Sequence, residues 1–473
     1  MTSNATDSTE TVDDGVPRPP RRGAFEILNG SRGGLIWLAL FGGALVWNAL
    51  QPSIALLIFA VVSAVLLPGA AIVAVVGVSP ERRATRVVLS VGFGIIGLEV
   101  VGGLSSWIGP LIGVPRPLDH TSALVLWGVL TVGMVLWAAV RSADPLTMLV
   151  DRFAPRQILQ FVALSALPIA ACLGAARLNA GHGGQVAGVA MVATVLLLVA
   201  GIPLSMWKPG HVALTSILYA GTLAILLATA LRGDHLFGWD IQQEFGVVSG
   251  AIRAGVFHVP VNHDPYASML SLTVLPAMLH SLTGLSGQMY LRVGIPAMLA
   301  LLPVGIFTML RSAPRWTDED EYIIRPNIGY CVAVGTILAS PSFPTEMAAI
   351  GRQTTALVLM VAGLIILIDR TISVGRAKWI LMVIVASWSW THYSTAYIMA
   401  AVLLLAWLAS SASMFLRSKD TPRQLRILRA RRVITFPLVA VSALSALAWN
   451  LWITDNSALS FPAKNVKVAG LVL

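Results

Sequence analysis

Apolar runs separated by short polar breaks recur along nearly the whole chain. Their lengths suit a hydrocarbon core roughly 30 Å thick, which a helix rising about 1.5 Å per residue crosses in about 20 residues. The pattern predicts spans at 34–50, 54–78, 87–104, 122–140, 158–176, 185–206, 211–231, 289–310, 327–340, 353–369, 379–391, 394–413 and 434–454, thirteen in all. The segment 266–283, YASMLSLTVLPAMLHSLT, is also apolar, but Pro276 breaks it and it carries His280. It is read as a re-entrant or interfacial segment. A membrane β-barrel would show shorter, alternating segments instead. The expected fold class is therefore all-α: a polytopic integral membrane protein with about 13 transmembrane helices, an extracytoplasmic amphipathic helix and the re-entrant segment.

Composition removes the soluble alternatives. The chain is 56% hydrophobic and 11% charged, with a mean hydropathy of +0.79, whereas soluble domains carry roughly 25% charged residues. The net charge of +10 does not indicate nucleic acid, because its distribution follows the spans. With the N-terminus inside, inner loops hold 24 Lys and Arg against seven in outer loops, and Arg292 sits at a span end. This bias is the positive-inside signature and places the chain in the plasma membrane with its N-terminus cytoplasmic. If 266–283 crossed, the basic loop RSKDTPRQLRILRARR would lie outside, which the same rule opposes.

Four regions follow. Residues 1–33 form a Ser/Thr/Asp-rich, then basic, cytoplasmic tail. Residues 34–210 form an N-terminal transmembrane module, and the run from Gly34 is taken as a retained span because it lacks a cleavage-site pattern. Residues 211–413 form a core with the outer loop 232–288, and residues 414–473 contain a basic inner loop and a final span. Cys172 and Cys331 fall inside apolar runs, with no disulfide framework or metal-ligand spacing. The inner loops carry no Gly-rich phosphate-binding loop.

The outer breaks are where polar chemistry collects. In HLFGWDIQQEFGVVSG, Asp240 and Glu244 stand four residues apart, and Ile241, Phe245, Val248 and Ile252 follow helical spacing up to Gly255. This predicts an amphipathic helix along the outer membrane surface, with Asp240 as its N-cap and Gln243 completing a capping box. A cap needs one acid only. The same loop adds Trp239, Arg253 and HVPVNHDPY, with His263, Asp264 and Tyr266. A second break, SPSFPTEMAAIGRQ, carries Glu346, Arg352 and Gln353. Arginine there can snorkel to headgroups or grip a phosphate bidentately. A third, SWSWTHYSTAY, carries His392 and Tyr393 among aromatic residues that an interfacial belt explains equally well. Glu99 stands alone inside the third span, without visible basic partners in nearby spans.

The motifs WDIQQEF, DPYASMLSLTVLPAMLHSLTGLSG, EMAAIGRQ and THYSTAY, in this order over roughly residues 230–410, resemble a family of uncharacterised prokaryotic multi-pass proteins similar to C-type glycosyltransferases. Those enzymes use polyprenyl-phosphate-linked sugars. The resemblance implies a hexosyl- or pentosyltransferase of cell-envelope assembly, with a lipid-linked donor, a glycan or lipid acceptor and no nucleic acid. Asp240 then matches the outer-loop catalytic acid by context. Glu244 is its neighbour, supporting it or joining it in holding a divalent cation (Mg or Mn). Trp239, Arg253, His263, Asp264, Glu346, Arg352, Gln353, His392 and Tyr393 become substrate-binding candidates. One feature departs from the superfamily, whose catalytic loop follows the first span rather than the seventh. A lipid-linked glycan polymerase or ligase, and a transporter or flippase of envelope precursors, are the competing functions. No internal repeat supports the transporter.

Overall fold

The computed structural model describes residues 32–50, 53–77, 83–141, 155–207, 212–258, 264–312, 326–369, 371–415 and 433–454. Among these, 84% are helical and none lies in a strand, so every backbone group at membrane depth can be satisfied within its own segment. In chain order the helices are α1 (Arg32–Leu50), α2 (Ile54–Val76), α3 (Arg83–Ile108), α4 (His120–Val140), α5 (Pro155–Asn179), α6 (Gln185–Trp207) and α7 (Val212–Ala230). After them come α8 (Trp239–Ala254), α9 (Val274–Thr283), α10 (Gly287–Met289), α11 (Ile295–Leu299) and α12 (Leu301–Ser312), with a π turn at Tyr290–Gly294 before α11. The chain ends with α13 (Pro326–Leu338), α14 (Ser342–Thr345), α15 (Gly351–Ile368), α16 (Val374–Thr391), α17 (Tyr393–Phe415) and α18 (Phe436–Trp452).

Helical structure stands at each of the thirteen expected positions. Nine of the described helices are long and apolar enough to cross a membrane, or ten if the pair Ile328–Leu338 and Ser342–Ala349, bent by 71°, is one broken span. The chain is thus a multi-pass helical membrane protein. The expected count of thirteen exceeds these nine or ten because α1, α13, α16 and α18 have apolar stretches that are too short or carry charge at one end. Segment 266–283 forms turns and the ten-residue α9, about 15 Å long and half the hydrocarbon thickness. Leu275, Met278, Leu279 and Leu282 of α9 are all buried, so the segment packs inside the bundle. α8 appears where periodicity placed it, and Gly255 ends it at φ 64.

Two hydrophobic cores fill the bundle. One runs between α3, α6, α7, α12, α13, α15 and α16. The other lies among α2, α3, α4, α8 and α9 beneath the polar breaks. Between α2 and α3 the backbones touch: a Cβ on Gly69 would meet the Ser90 carbonyl oxygen at 1.7 Å, and one on Gly94 would meet that of Val65 at 2.1 Å. Small residues permit this approach, and close packing drives helix association in lipid. Pro68 removes an N–H from α2 that would have bonded the Ala64 carbonyl. The Trp127 indole on α4 donates to that carbonyl at 2.9 Å instead, so a helix break becomes an interhelical bond. Gly94→Ala is expected to destabilise the bundle by roughly 1–3 kcal/mol through overpacking. Gly128→Ala, whose Cβ meets nothing within 4 Å, should leave thermal unfolding in detergent unchanged. Equal melting curves for the two variants would refute the tight α2–α3 seam.

Hydrogen bonds tie the connections together at two ends. At one end Arg376 Nη1 donates to the Gly77 carbonyl at 2.7 Å. At the other, Leu118 N–H donates to Gly255 O, Ser281 Oγ to Leu118 O and Asn179 Nδ2 to Leu231 O. Arg292 donates to the Ala230 and Gly233 carbonyls at the C-terminal end of α7. This second end gathers the polar breaks.

Candidate functional site

The polar end closes around one guanidinium. Arg352, second residue of α15, is buried and donates from Nη1 to Glu244 Oε1 at 2.6 Å. Its Nη2 donates to the Tyr266 hydroxyl at 3.1 Å and lies 3.4 Å from Asp240 Oδ2. The Tyr266 hydroxyl in turn donates to Asp240 Oδ1 at 3.1 Å. The guanidinium also lies over the Tyr266 ring, 4.1 Å from its centroid, a cation–π contact. Residues from three separate parts of the sequence thereby form a ring of charge-assisted bonds.

Local sequence explains each member. Gly238 caps α8 at φ 121, and a Cβ there would meet that of Ala349 at 2.9 Å. α8 therefore starts at Trp239, and Asp240 lies in its first turn rather than at its N-cap. The expected capping box with Gln243 does not form, because the Asp240 carboxylate turns toward Tyr266 and Arg352. Asp240, Glu244 and Val248 follow one another at helical spacing, so Glu244 enters the buried stripe of α8 with Ile241 and Val248. Its other oxygen, Oε2, accepts the Gly351 N–H at 2.8 Å. Glu244 thus caps the start of α15 from a different helix, satisfying an amide that has no intrahelical partner. Glycine at 351 makes room, since a Cβ there would sit 2.9 Å from Oε2. Asp264 Oδ1 accepts the Tyr266 N–H at 2.9 Å and fixes the turn that delivers the phenol.

Burial separates the two acids. Glu244 is fully buried, while the Asp240 side chain is 35% exposed. Asp240 is accordingly the acid open to solvent, and Glu244 is the sealed one. A divalent cation does not fit between them. Both Glu244 oxygens are engaged, and a guanidinium already occupies the cationic position between the carboxylates. Among the described residues no group of three or more His, Cys, Asp or Glu forms a metal cage.

His392 ends α16 with an extended backbone, φ −159, and its Nδ1 lies 2.7 Å from Thr395 Oγ1. Burial, and then the Arg352 charge, hold its imidazole down at about 3. It is therefore neutral at physiological pH. Tyr393 packs on it with ring centroids 5.7 Å apart. Burial also pushes the Tyr266 phenol up to about 12, which keeps it a hydrogen-bond donor to Asp240.

The Glu244 carboxyl is pushed up to about 7 by burial, with Arg352 and the Gly351 amide pulling the other way. The two shifts act on stability with opposite signs. Glu244 favours the folded state most below its ordinary 4.5 and loses that contribution as pH rises to about 7. His392 favours it fully above its ordinary 6.5 and loses that contribution as pH falls to about 3. The effects oppose each other between 4.5 and 6.5. His392→Asn should therefore melt at progressively lower temperature as pH rises through that window, and Glu244→Gln at progressively higher temperature, each relative to the wild type. Parallel profiles for all three proteins would contradict these assignments.

The other sequence candidates stand apart from the ring. Trp239 is 90% exposed. Arg253 is exposed about 20 Å along α8 from Asp240, at about 1.5 Å per residue. Glu346 is exposed in the turn before α15, with no side-chain ion pair to Arg352. Gln353 is half-buried beside Arg352, and His263 lies outside the described residues. Tyr266, named in the sequence only as one polar group of the outer loop, proves a member of the ring, and Gly351 is a member that sequence reasoning did not single out. Tyr266 had a signal in the DPY turn. Comparison of the chain with protein-family models, with curated proteins and with solved structures finds no match in any of the three.

Proposed function

We propose that the chain is a membrane glycosyltransferase that moves a hexosyl or pentosyl group from a polyprenyl-phosphate donor to a glycan or lipid acceptor during cell-envelope assembly. The observation that carries this is Asp240: a reachable carboxylate held by a buried Arg–Tyr pair at the polar end of a multi-pass bundle. On this reading thirteen segments cross the plasma membrane, the N-terminus is cytoplasmic and the polar end is extracytoplasmic, as the Lys and Arg distribution favours.

Asp240 takes the proton of an acceptor hydroxyl as that oxygen bonds to the anomeric carbon. The bond from that carbon to the phosphate oxygen breaks, its electron pair leaves with the polyprenyl phosphate, and the anomeric centre inverts. Arg352 and Tyr266 orient the Asp240 carboxylate. Arg352 is committed to Glu244, Tyr266 and Asp240, so its role moves from gripping the donor phosphate to positioning the base. Neutral His392, with Tyr393 and exposed Trp239, remains for donor and sugar contacts. The test is transfer by the purified protein in nanodiscs, using polyprenyl-phosphate hexose and pentose donors with envelope-glycan and lipid acceptors. Product formation with release of polyprenyl phosphate is expected. Movement of intact lipid-linked sugar across vesicles without transfer would favour the flippase instead, and extension of a lipid-linked oligosaccharide the polymerase.

A further inference from the structure

Glu99 lies mid-way along the outer half of α3, fully buried. Its Oε2 accepts the Trp390 indole N–H at 3.0 Å and lies 3.2 Å from the Thr391 hydroxyl, whose single proton is also within reach of the Ser387 carbonyl at 2.8 Å. Its Oε1 is buried and has no hydrogen-bond partner. No Lys, Arg or His is bonded to it. α2, which packs on α3, has no ionisable side chain. α4 offers His120, which contacts the Ser281 carbonyl, and α9 offers His280, which contacts that of Leu285. Arg352 of α15 is committed to Glu244 and Asp240. Arg311 of α12 stands over Phe307. On α16, Arg376 bonds Gly77 at the opposite end, where Lys378 also lies. Tyr290 packs nearby, but its hydroxyl donates to the Ser271 carbonyl.

An ionised carboxylate in such surroundings is costly unless paired, and the group neutralises instead. The bonding is also asymmetric in a way that suits a neutral acid: the Trp390 N–H donates to one oxygen, beside which the Thr391 hydroxyl also lies, and the other oxygen has no partner. We propose that Glu99 is an intramembrane proton-binding site, its carboxyl group carrying the proton while Oε2 accepts the Trp390 N–H. Trp390 and Thr391 immediately precede His392 in the chain. Release of the proton would place an unpaired charge against the end of α16, so occupancy of this site couples to the seat of His392.

This inference does not depend on glycosyl transfer, and its test needs neither donor nor acceptor. Infrared spectra of the purified protein in lipid nanodiscs at about neutral pH should show the carbonyl stretch of a protonated carboxylic acid. That band should shift on H/D exchange and vanish in Glu99→Gln. Trp390→Phe keeps the acid but removes one donor to Oε2, so the band should move to higher frequency. The second variant decides the matter if Glu99→Gln does not fold. A wild-type spectrum without the band, or an unmoved band in Trp390→Phe, overturns the proposal.

Discussion

Arg352→Met is expected to destabilise the protein by roughly 3–5 kcal/mol, the range for removing one partner of a buried ion pair, and to abolish transfer. The substitution leaves the fully buried Glu244 carboxylate facing only backbone amides. It also frees Tyr266 and Asp240 from the group that aligns them. The loss should shrink at low pH, because burial already pushes Glu244 up to about 7 and protonation removes the unpaired charge. Adding Glu244→Gln should recover part of the stability at neutral pH. A coupling of about 1–3 kcal/mol between the two substitutions is expected, as for residues in one network. Denaturation followed by tryptophan fluorescence in detergent measures it. If the two effects simply add, the Glu244–Arg352 pair is not the buried clasp described above.

Asp240→Asn is the converse experiment. The side chain is 35% exposed and its arginine contact is 3.4 Å, so stability should change by less than about 1 kcal/mol. Transfer should fall by about 10²–10⁴-fold in kcat, the usual contribution of a positioned general base. Binding of the lipid-linked donor should change little, because the carboxylate acts on the acceptor hydroxyl. Wild-type turnover in this variant removes Asp240 from the mechanism. A parallel loss of folding and activity would instead make it part of the clasp. The two acids thus predict opposite profiles: Asp240 affects rate more than stability, and Glu244 stability at least as much as rate.

That division was partly legible in the sequence. Ile241, Glu244 and Val248 are spaced three and four apart, so helical geometry alone puts Glu244 on the apolar face. Treating Asp240 and Glu244 as a like pair at i and i+4 obscured this. Asp240 as N-cap followed from residue type, but Gly238, at φ 121, caps the helix and starts it two residues earlier than a cap at 240 requires. The identity of Arg352's partners was not legible. Glu244 and Arg352 are 108 residues apart, and no local pattern pairs them. The partners of Tyr266 and the role of Gly351 were likewise hidden, because each matters only through a contact with a distant segment.

The sequence by itself determined the class of molecule. Long apolar runs leave the backbone no stable state in lipid except helix, and the ends of those runs fix where polar groups can emerge. It also determined α8 and its Gly255 terminus, because these follow from local period and residue type. Only the tertiary structure decided which polar groups meet, which acid is reachable and which is sealed. Those outcomes depend on burial and on hydrogen-bond partners that distant segments supply, and a buried charge takes its character from the group beside it.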